Sequence, residues 1–248
     1  MMARVFPDLL AFAAGIGIAY WAHWETKDLV WSLWLCSLGI GYLSFFTGIG
    51  STLWLGLAAL RSTKLQKKHF RASIVAGIAG GLFLLVFFSL HFGAFHAVHS
   101  VFLQQFFPIE DMPEDGFGAA FMNPPLLWML AIEHLMKPYG LFLAPALIAE
   151  RHHIFRPLTN ALERARNTST LNELVINSAT KKTGARKTVL GDTMGRPYLN
   201  VIRMHLLIFF FAFSRELALG SFTVYAVVYA VYFFPWREIK GSAPAVTE

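Results

Sequence analysis

The stretch His91-Phe92-Gly93-Ala94-Phe95-His96-Ala97-Val98-His99-Ser100-Val101-Phe102 places three imidazoles within nine residues of an apolar run. The run begins near Ala72 and otherwise consists mostly of Leu, Val, Phe, Ala and Gly. Placing an ionisable side chain inside a membrane costs free energy, so such residues are rare there and face the protein interior. An ionisable residue within a membrane segment is therefore taken as functional by default. We therefore expect the rest of the chain to be a membrane scaffold that holds these histidines.

The composition places the whole chain in the membrane class. Of its 248 residues, 56% are hydrophobic and 15% are charged, whereas soluble domains carry about 25% charged residues. The net charge of +6 comes from basic residues in loops beside apolar runs, which is the pattern that sets orientation in a membrane. We expect the lipid bilayer as a partner and no nucleic acid. The single cysteine, Cys36, cannot form an internal disulfide.

Six apolar segments predict an all-α, polytopic bundle of about six transmembrane helices. The predicted spans are 1–22, 29–60, 72–107, 123–149, 200–213 and 217–234. About 20 helical residues cross the hydrocarbon core, so the second and third runs are overlong. They are either long tilted or kinked helices or broken ones, with a re-entrant break at 47–51 as the alternative for the second. The fourth span carries a break at Pro138-Tyr139-Gly140.

The loops predict the orientation in the inner membrane. Lys and Arg favour the cytoplasmic side, so the basic loops 61–71 and 150–199 should face the cytoplasm and the acidic loop 108–118 should face out. Both termini are then cytoplasmic. Residues 1–240 form one domain, and 241–248 form a disordered tail. Loop 150–199 is the expected contact for a partner protein, and a homo-oligomer is the alternative.

The histidines predict a transition-metal site in the outer leaflet. A helical step of 100° places the three imidazoles within an arc of roughly 140°. Glu133 and His134 on the fourth span should fall near mid-membrane, roughly level with His91. Neutral imidazole suits zinc, copper and iron, and carboxylate suits zinc and iron. The predicted metal ligands are His91, His96, His99, Glu133 and His134, with His23, Glu25 and His205 as additional candidates. A haem is the alternative cofactor.

Other functions remain open for the same residues. The protein is a metalloenzyme or metal-handling protein in the first hypothesis, and a transporter or channel with a proton or ion pathway in the second. In the third it is a non-catalytic membrane subunit whose loop 150–199 docks a partner protein. Glu133 and Lys137 stand four residues apart, so they can neutralise each other. A rhomboid-type serine protease is disfavoured, because Gly48-Ile49-Gly50-Ser51-Thr52 lacks the glycine after the serine.

Three strings resemble a bacterial membrane-protein family of unknown function, DUF6498. They are His91-Phe92-Gly93-x-Phe95-x-x-x-His99-x-x-Phe102, the Trp-rich run Leu29 to Tyr42, and Pro197-Tyr198-x-x-Val201-x-x-Met204-His205. The chain departs from the family pattern at Leu35-Cys36-Ser37, and His96 is an addition. The resemblance implies a polytopic bacterial membrane protein with functional positions at His91, His99 and His205, and it implies no known activity.

Overall fold

The fold was analysed in a computed structural model that describes residues 2–62 and 67–167, together with Leu206 and Ala230. This part of the chain is all-α, as the sequence predicts, and contains no strand. Its helices are α1 Met2–Trp21, α2 Thr26–Ser62, α3 Lys67–Phe106, α4 Pro124–Tyr139 and α5 Leu143–Arg166, with 3-10 turns at Gly118–Ala120 and Gly140–Phe142. Apart from Leu206 and Ala230, the predicted fifth and sixth spans lie outside the described residues, as do His205 and the tail.

The two overlong apolar runs are single continuous helices. Helix α2 passes through the glycine-rich region without interruption, so the alternative of a break at 47–51 is wrong. The side chains of Ser51 and Thr52 donate hydrogen bonds to the carbonyls of Thr47 and Gly48, one turn earlier in the same helix. These bonds satisfy the two hydroxyls within α2. Two segments, Thr26–Ala58 of α2 and Ile74–Phe106 of α3, are long and apolar enough to cross a membrane.

Helix α5 packs alongside α2 and runs in the same direction. Where this contact begins, just before α5, the Phe142 carbonyl lies 4.0 Å from the Cys36 sulfur. Further along both helices, Thr47 Oγ1 donates a hydrogen bond of 2.9 Å to the Ile154 carbonyl. Helix α5 extends to Arg166, so the first part of the predicted polar loop 150–199 is helical.

Helix α4 runs against the direction of α2. The Trp128 ring lies 5.3 Å from the Tyr42 ring, whereas Tyr139, at the other end of α4, bonds to Asp28 at the start of α2. Since α5 is parallel to α2, the chain reverses between α4 and α5. The predicted break near Gly140 is confirmed, but the chain reverses there, so the assignment of 123–149 to a single span is wrong. With 16 residues, α4 is roughly 24 Å long.

The segment between α3 and α4 folds back along α3. The Trp31 indole donates a hydrogen bond to the Phe107 carbonyl at the end of α3. Ten residues later, the Phe117 N–H donates to Ser100 Oγ at 2.7 Å, and a Cβ on Gly93 would lie 3.7 Å from Pro124. Residues 107–123 therefore run back along α3 from its C-terminal end, and α4 begins beside Gly93. We refer to residues 107–123 as the returning segment.

The returning segment requires a glycine at its closest approach to α3. Gly116 has φ +59°, and a Cβ there would lie 2.5 Å from the Ser100 carbonyl oxygen. Both the left-handed conformation and the lack of space exclude a side chain. The next residue, Phe117, is fully buried and packs against Trp31 and Trp34 at 6.1 and 5.4 Å between ring centroids.

Candidate functional site

A buried polar contact between α2 and α3 joins His96 to Ser37. Both side chains are buried. His96 Nδ1 lies 3.0 Å from the Phe92 carbonyl oxygen, and His96 Nε2 lies 3.2 Å from Ser37 Oγ. A carbonyl only accepts hydrogen bonds, so Nδ1 carries the proton. In the neutral imidazole, Nε2 is then the acceptor, and the Ser37 hydroxyl donates to it.

Aromatic rings hold this imidazole on two sides. The Phe92 and Trp34 rings lie 4.3 and 5.5 Å from the His96 ring between centroids. The Trp34 indole also donates a hydrogen bond of 3.1 Å to the His96 carbonyl. Side-chain and backbone atoms of His96 are thus both tied to α2 or to the preceding turn of α3, which fixes the orientation of the ring.

His99 extends the polar layer by one helical turn. It is buried, and its ring centroid lies 6.4 Å from that of His96 with the planes at 80°. Ser100, also buried, donates to the Ala97 carbonyl and accepts from the Phe117 N–H. The structure therefore brings together Ser37, His96, His99 and Ser100. We refer to His96 and His99 as the buried imidazole pair.

His91 is not brought together with this pair. Its side chain is exposed, lies parallel to the Phe87 ring at 5.6 Å and 10°, and meets the Phe95 ring edge-on at 5.0 Å. The sequence predicts that the three histidines share an arc of roughly 140° around α3. An arc of this width reaches from the side of α3 that faces α2 to its outer side. His91 occupies the outer side.

The candidate residues of α4 lie nearer to the start of α2 than predicted. The half-buried His134 lies 6.1 Å from Phe117 between ring centroids, and Phe117 packs on Trp34, so His134 is level with Trp34 rather than with His91. Glu133 and Lys137 are exposed. The part of the chain that the structure describes holds no ion pair between them, so their predicted mutual neutralisation is not seen.

The candidates from the turn between α1 and α2 are on the surface. His23 is exposed with φ +53°, and the Glu25 carboxylate lies 3.8 Å from the Lys27 ammonium. Over residues 2–62 and 67–167, no three His, Cys, Asp or Glu side chains are grouped so that they can hold a metal ion. The metal site therefore stays a prediction.

Sequence reasoning missed Ser37 and Trp34 as partners of His96. The spacing held the signal, because residues three apart share one helix face. Trp31, Trp34 and Ser37 follow one another at this spacing. Which face of α3 they meet is decided only by packing.

Over the residues that the structure describes, the fold and site define a class: an all-α protein with two helices able to cross a membrane and a buried imidazole–hydroxyl contact between them. A family model described as a family of unknown function (DUF6498) matches residues 9–156. This match covers more than half of the chain, and the protein belongs to that family, which confirms the resemblance. No curated protein and no solved structure shows significant similarity to the chain.

Proposed function

We propose that the chain is a six-span inner-membrane protein with both termini in the cytoplasm, and that its buried imidazole pair passes protons or a cation as part of a transporter or channel. One observation carries the functional part. His96 is held in a single tautomer whose accepting nitrogen faces the Ser37 hydroxyl within a buried layer. Buried ionisable groups at membrane depth are typical of proton and ion pathways.

We place one edge of the hydrocarbon layer at Leu29 of α2 and the other near Thr47 of the same helix. Leu29 to Thr47 of α2 rises about 27 Å, close to the ~30 Å of a bilayer core. The Thr47 end lies level with the part of α5 that carries Arg151, which forms an ion pair with Asp8 of α1. In this placement α1, α2, α3 and α5 cross the membrane, and the two segments 200–213 and 217–234 complete six spans.

The returning segment and α4 support a transport role. In the proposed placement, both ends of 107–139 lie on the outer side and the start of α4 lies at depth. Irregular backbone at membrane depth occurs where it is buried in protein or lines an aqueous cavity. Transport sites are commonly built beside discontinuous helices. Here Phe117 of the returning segment packs against Trp34, which also contacts His96.

In this proposal, the buried imidazole pair exchanges protons. A neutral His96 accepts a proton at Nε2 and becomes a cation with two donors, and Ser37 then turns its hydroxyl to accept. His99, one turn nearer the outer end, is the next titratable group along α3.

Flux measurements in liposomes test the proposal. The purified protein is reconstituted with a pH-sensitive dye inside, and a potassium diffusion potential drives proton entry. We expect wild-type flux above protein-free liposomes and a loss of about tenfold or more in His96→Ala. Ser32→Ala is the matched control, because its buried hydroxyl bonds only to the Leu29 carbonyl in its own helix. Flux is measured for protons and, in separate assays, for sodium and potassium. Wild-type flux at the protein-free level for all three ions would reject the proposal.

A transition-metal site is the second candidate, and the same tautomer favours it. Metal-binding histidines often donate one ring N–H to a backbone carbonyl, which directs the other nitrogen to the metal. His96 has this arrangement through Phe92, with His99 beside it. The proposed ligands are His96 and His99, and the metal is zinc, copper or iron.

Elemental analysis separates the two candidates. About one metal per chain that disappears in the His96→Ala/His99→Ala double variant would support a metal site, and a haem absorption band would identify a haem instead. Absence of metal from the wild type, with the variant equally stable, would reject the metal site. The flux measurements would then decide the proposal of a proton or cation pathway.

A further inference from the structure

An open cavity of about 420 Å³ lies on the outer side of α3, away from the buried imidazole pair. Residues of α3 form one wall, among them Phe87, His91 and Phe95, and Phe121 and Met122 at the end of the returning segment form the other. Among the described residues of the lining, His91 is the one with a polar side chain. Small-molecule sites commonly combine apolar, aromatic walls with very few polar groups, at cavity volumes of this order.

The rings around the cavity suit a planar ligand. The Phe87 and His91 rings are nearly parallel, and the Phe95 ring stands edge-on to His91. Aromatic faces and edges attract further rings in stacked or edge-to-face geometry. Met122 adds a polarisable thioether, which makes favourable contacts with aromatic rings. A flat ring that enters the cavity would meet partners of both kinds.

The second wall carries backbone strain that burial does not explain. Met122 has φ +59°, a left-handed conformation that disfavours residues other than glycine. Phe121 and Met122 are 56% and 52% exposed, so the strained turn does not serve to bury them in the core. Strain of this kind concentrates at ligand-binding and active sites. The turn holds two large apolar side chains opposite His91.

We infer that this cavity binds a neutral, planar ring compound with a hydrogen-bonding oxygen, of the quinone or phenol class, taken from the lipid phase. The described residues of the lining include no Asp, Glu, Lys or Arg, which favours a neutral ligand. An imidazole has two ring nitrogens, so one can serve the ligand oxygen while the other keeps a protein partner. The inference goes beyond the proposed function, because no residue of the buried imidazole pair lines the cavity.

Binding of 2-methyl-1,4-naphthoquinone to the full chain in lipid nanodiscs tests the inference by calorimetry, with empty nanodiscs subtracted. We expect saturable binding by the wild type. His91→Leu should raise the Kd about tenfold by removing the hydrogen bond, and Ala94→Trp should abolish binding by filling the cavity. Leu82→Trp is the control for added bulk, because Leu82 is an exposed α3 residue outside the cavity.

The outcomes separate this ligand from other occupants. Helical content and elution volume are compared first, so that only folded variants are scored. Absence of saturable binding by the wild type, or equal binding by wild type, His91→Leu and Ala94→Trp, would overturn the inference. Binding of 1-decanol as tightly as the naphthoquinone would also overturn it, because the cavity would then be a groove for acyl chains.

Discussion

Tyr139 donates a hydrogen bond of 2.8 Å to Oδ1 of Asp28 and so joins the end of α4 to the start of α2. The other oxygen of the same carboxylate accepts the Glu25 N–H, also at 2.8 Å. One carboxylate therefore holds both the turn before α2 and the last residue of α4. This contact fixes the direction of α4, because the opposite end of that helix lies beside Tyr42.

Removal of this hydroxyl should loosen the α4 end. We expect Tyr139→Phe to lower the free energy of unfolding by about 1–3 kcal/mol, the range for a hydrogen bond to a charged group, measured by thermal unfolding in detergent. Asp28→Asn and the double variant complete a thermodynamic cycle. Additive losses would mean that the two side chains do not interact.

Two glycines of α2 should respond oppositely to alanine. A Cβ on Gly41 would lie 2.7 Å from Cε1 of the buried Phe92 ring and closer still to its Cζ, whereas a Cβ on Gly56 meets nothing within 4 Å. Gly41→Ala should destabilise the protein by about 1–3 kcal/mol through overpacking. Gly56→Ala should be neutral or stabilise it by up to about 1 kcal/mol, because alanine favours helix. Equal effects on the melting temperature would contradict the α2–α3 packing.

The ion pair between Arg151 and Asp8 should tie α1 to α5. The two side chains are 25% and 13% exposed, so the charges are partly shielded from water. Arg151→Gln leaves Asp8 without its cation and should cost about 1–3 kcal/mol, less than the loss of a fully buried pair. The exchange Asp8→Arg/Arg151→Asp should recover part of the stability. A melting temperature unchanged by Arg151→Gln would show that the pair contributes nothing.

The reversal between α4 and α5 predicts which residues face the outer side. In a Cys36→Ala background, Glu114→Cys and Lys137→Cys should react with a membrane-impermeant maleimide added outside, and Arg164→Cys should react only after the membrane is opened. All three side chains are exposed. A continuous 123–149 span places Lys137 within the membrane instead. Protection of Lys137→Cys beside a labelled Glu114→Cys would therefore contradict the proposed placement of α4.

Hydropathy in the sequence predicted much of the scaffold. The all-α class, the helices that begin the chain, and the break near Gly140 follow from apolar runs and from proline and glycine. These signals depend on composition along the chain, which is why they can be read without tertiary structure. The histidine segment and its family resemblance also directed attention to α3, and the family match extends from within α1 into α5.

Helix direction and helix facing were decided by tertiary structure alone. Hydropathy gives the length of an apolar run but not its direction, so 123–149 was predicted as one span although α4 and α5 run in opposite directions. The spacing of three histidines on one helix gives the arc that they share, but it does not give the neighbouring helix that each one contacts. Packing of α2 against α3 buried His96 beside Ser37 and left His91 on the outer side, because a contact between distant residues depends on which faces meet.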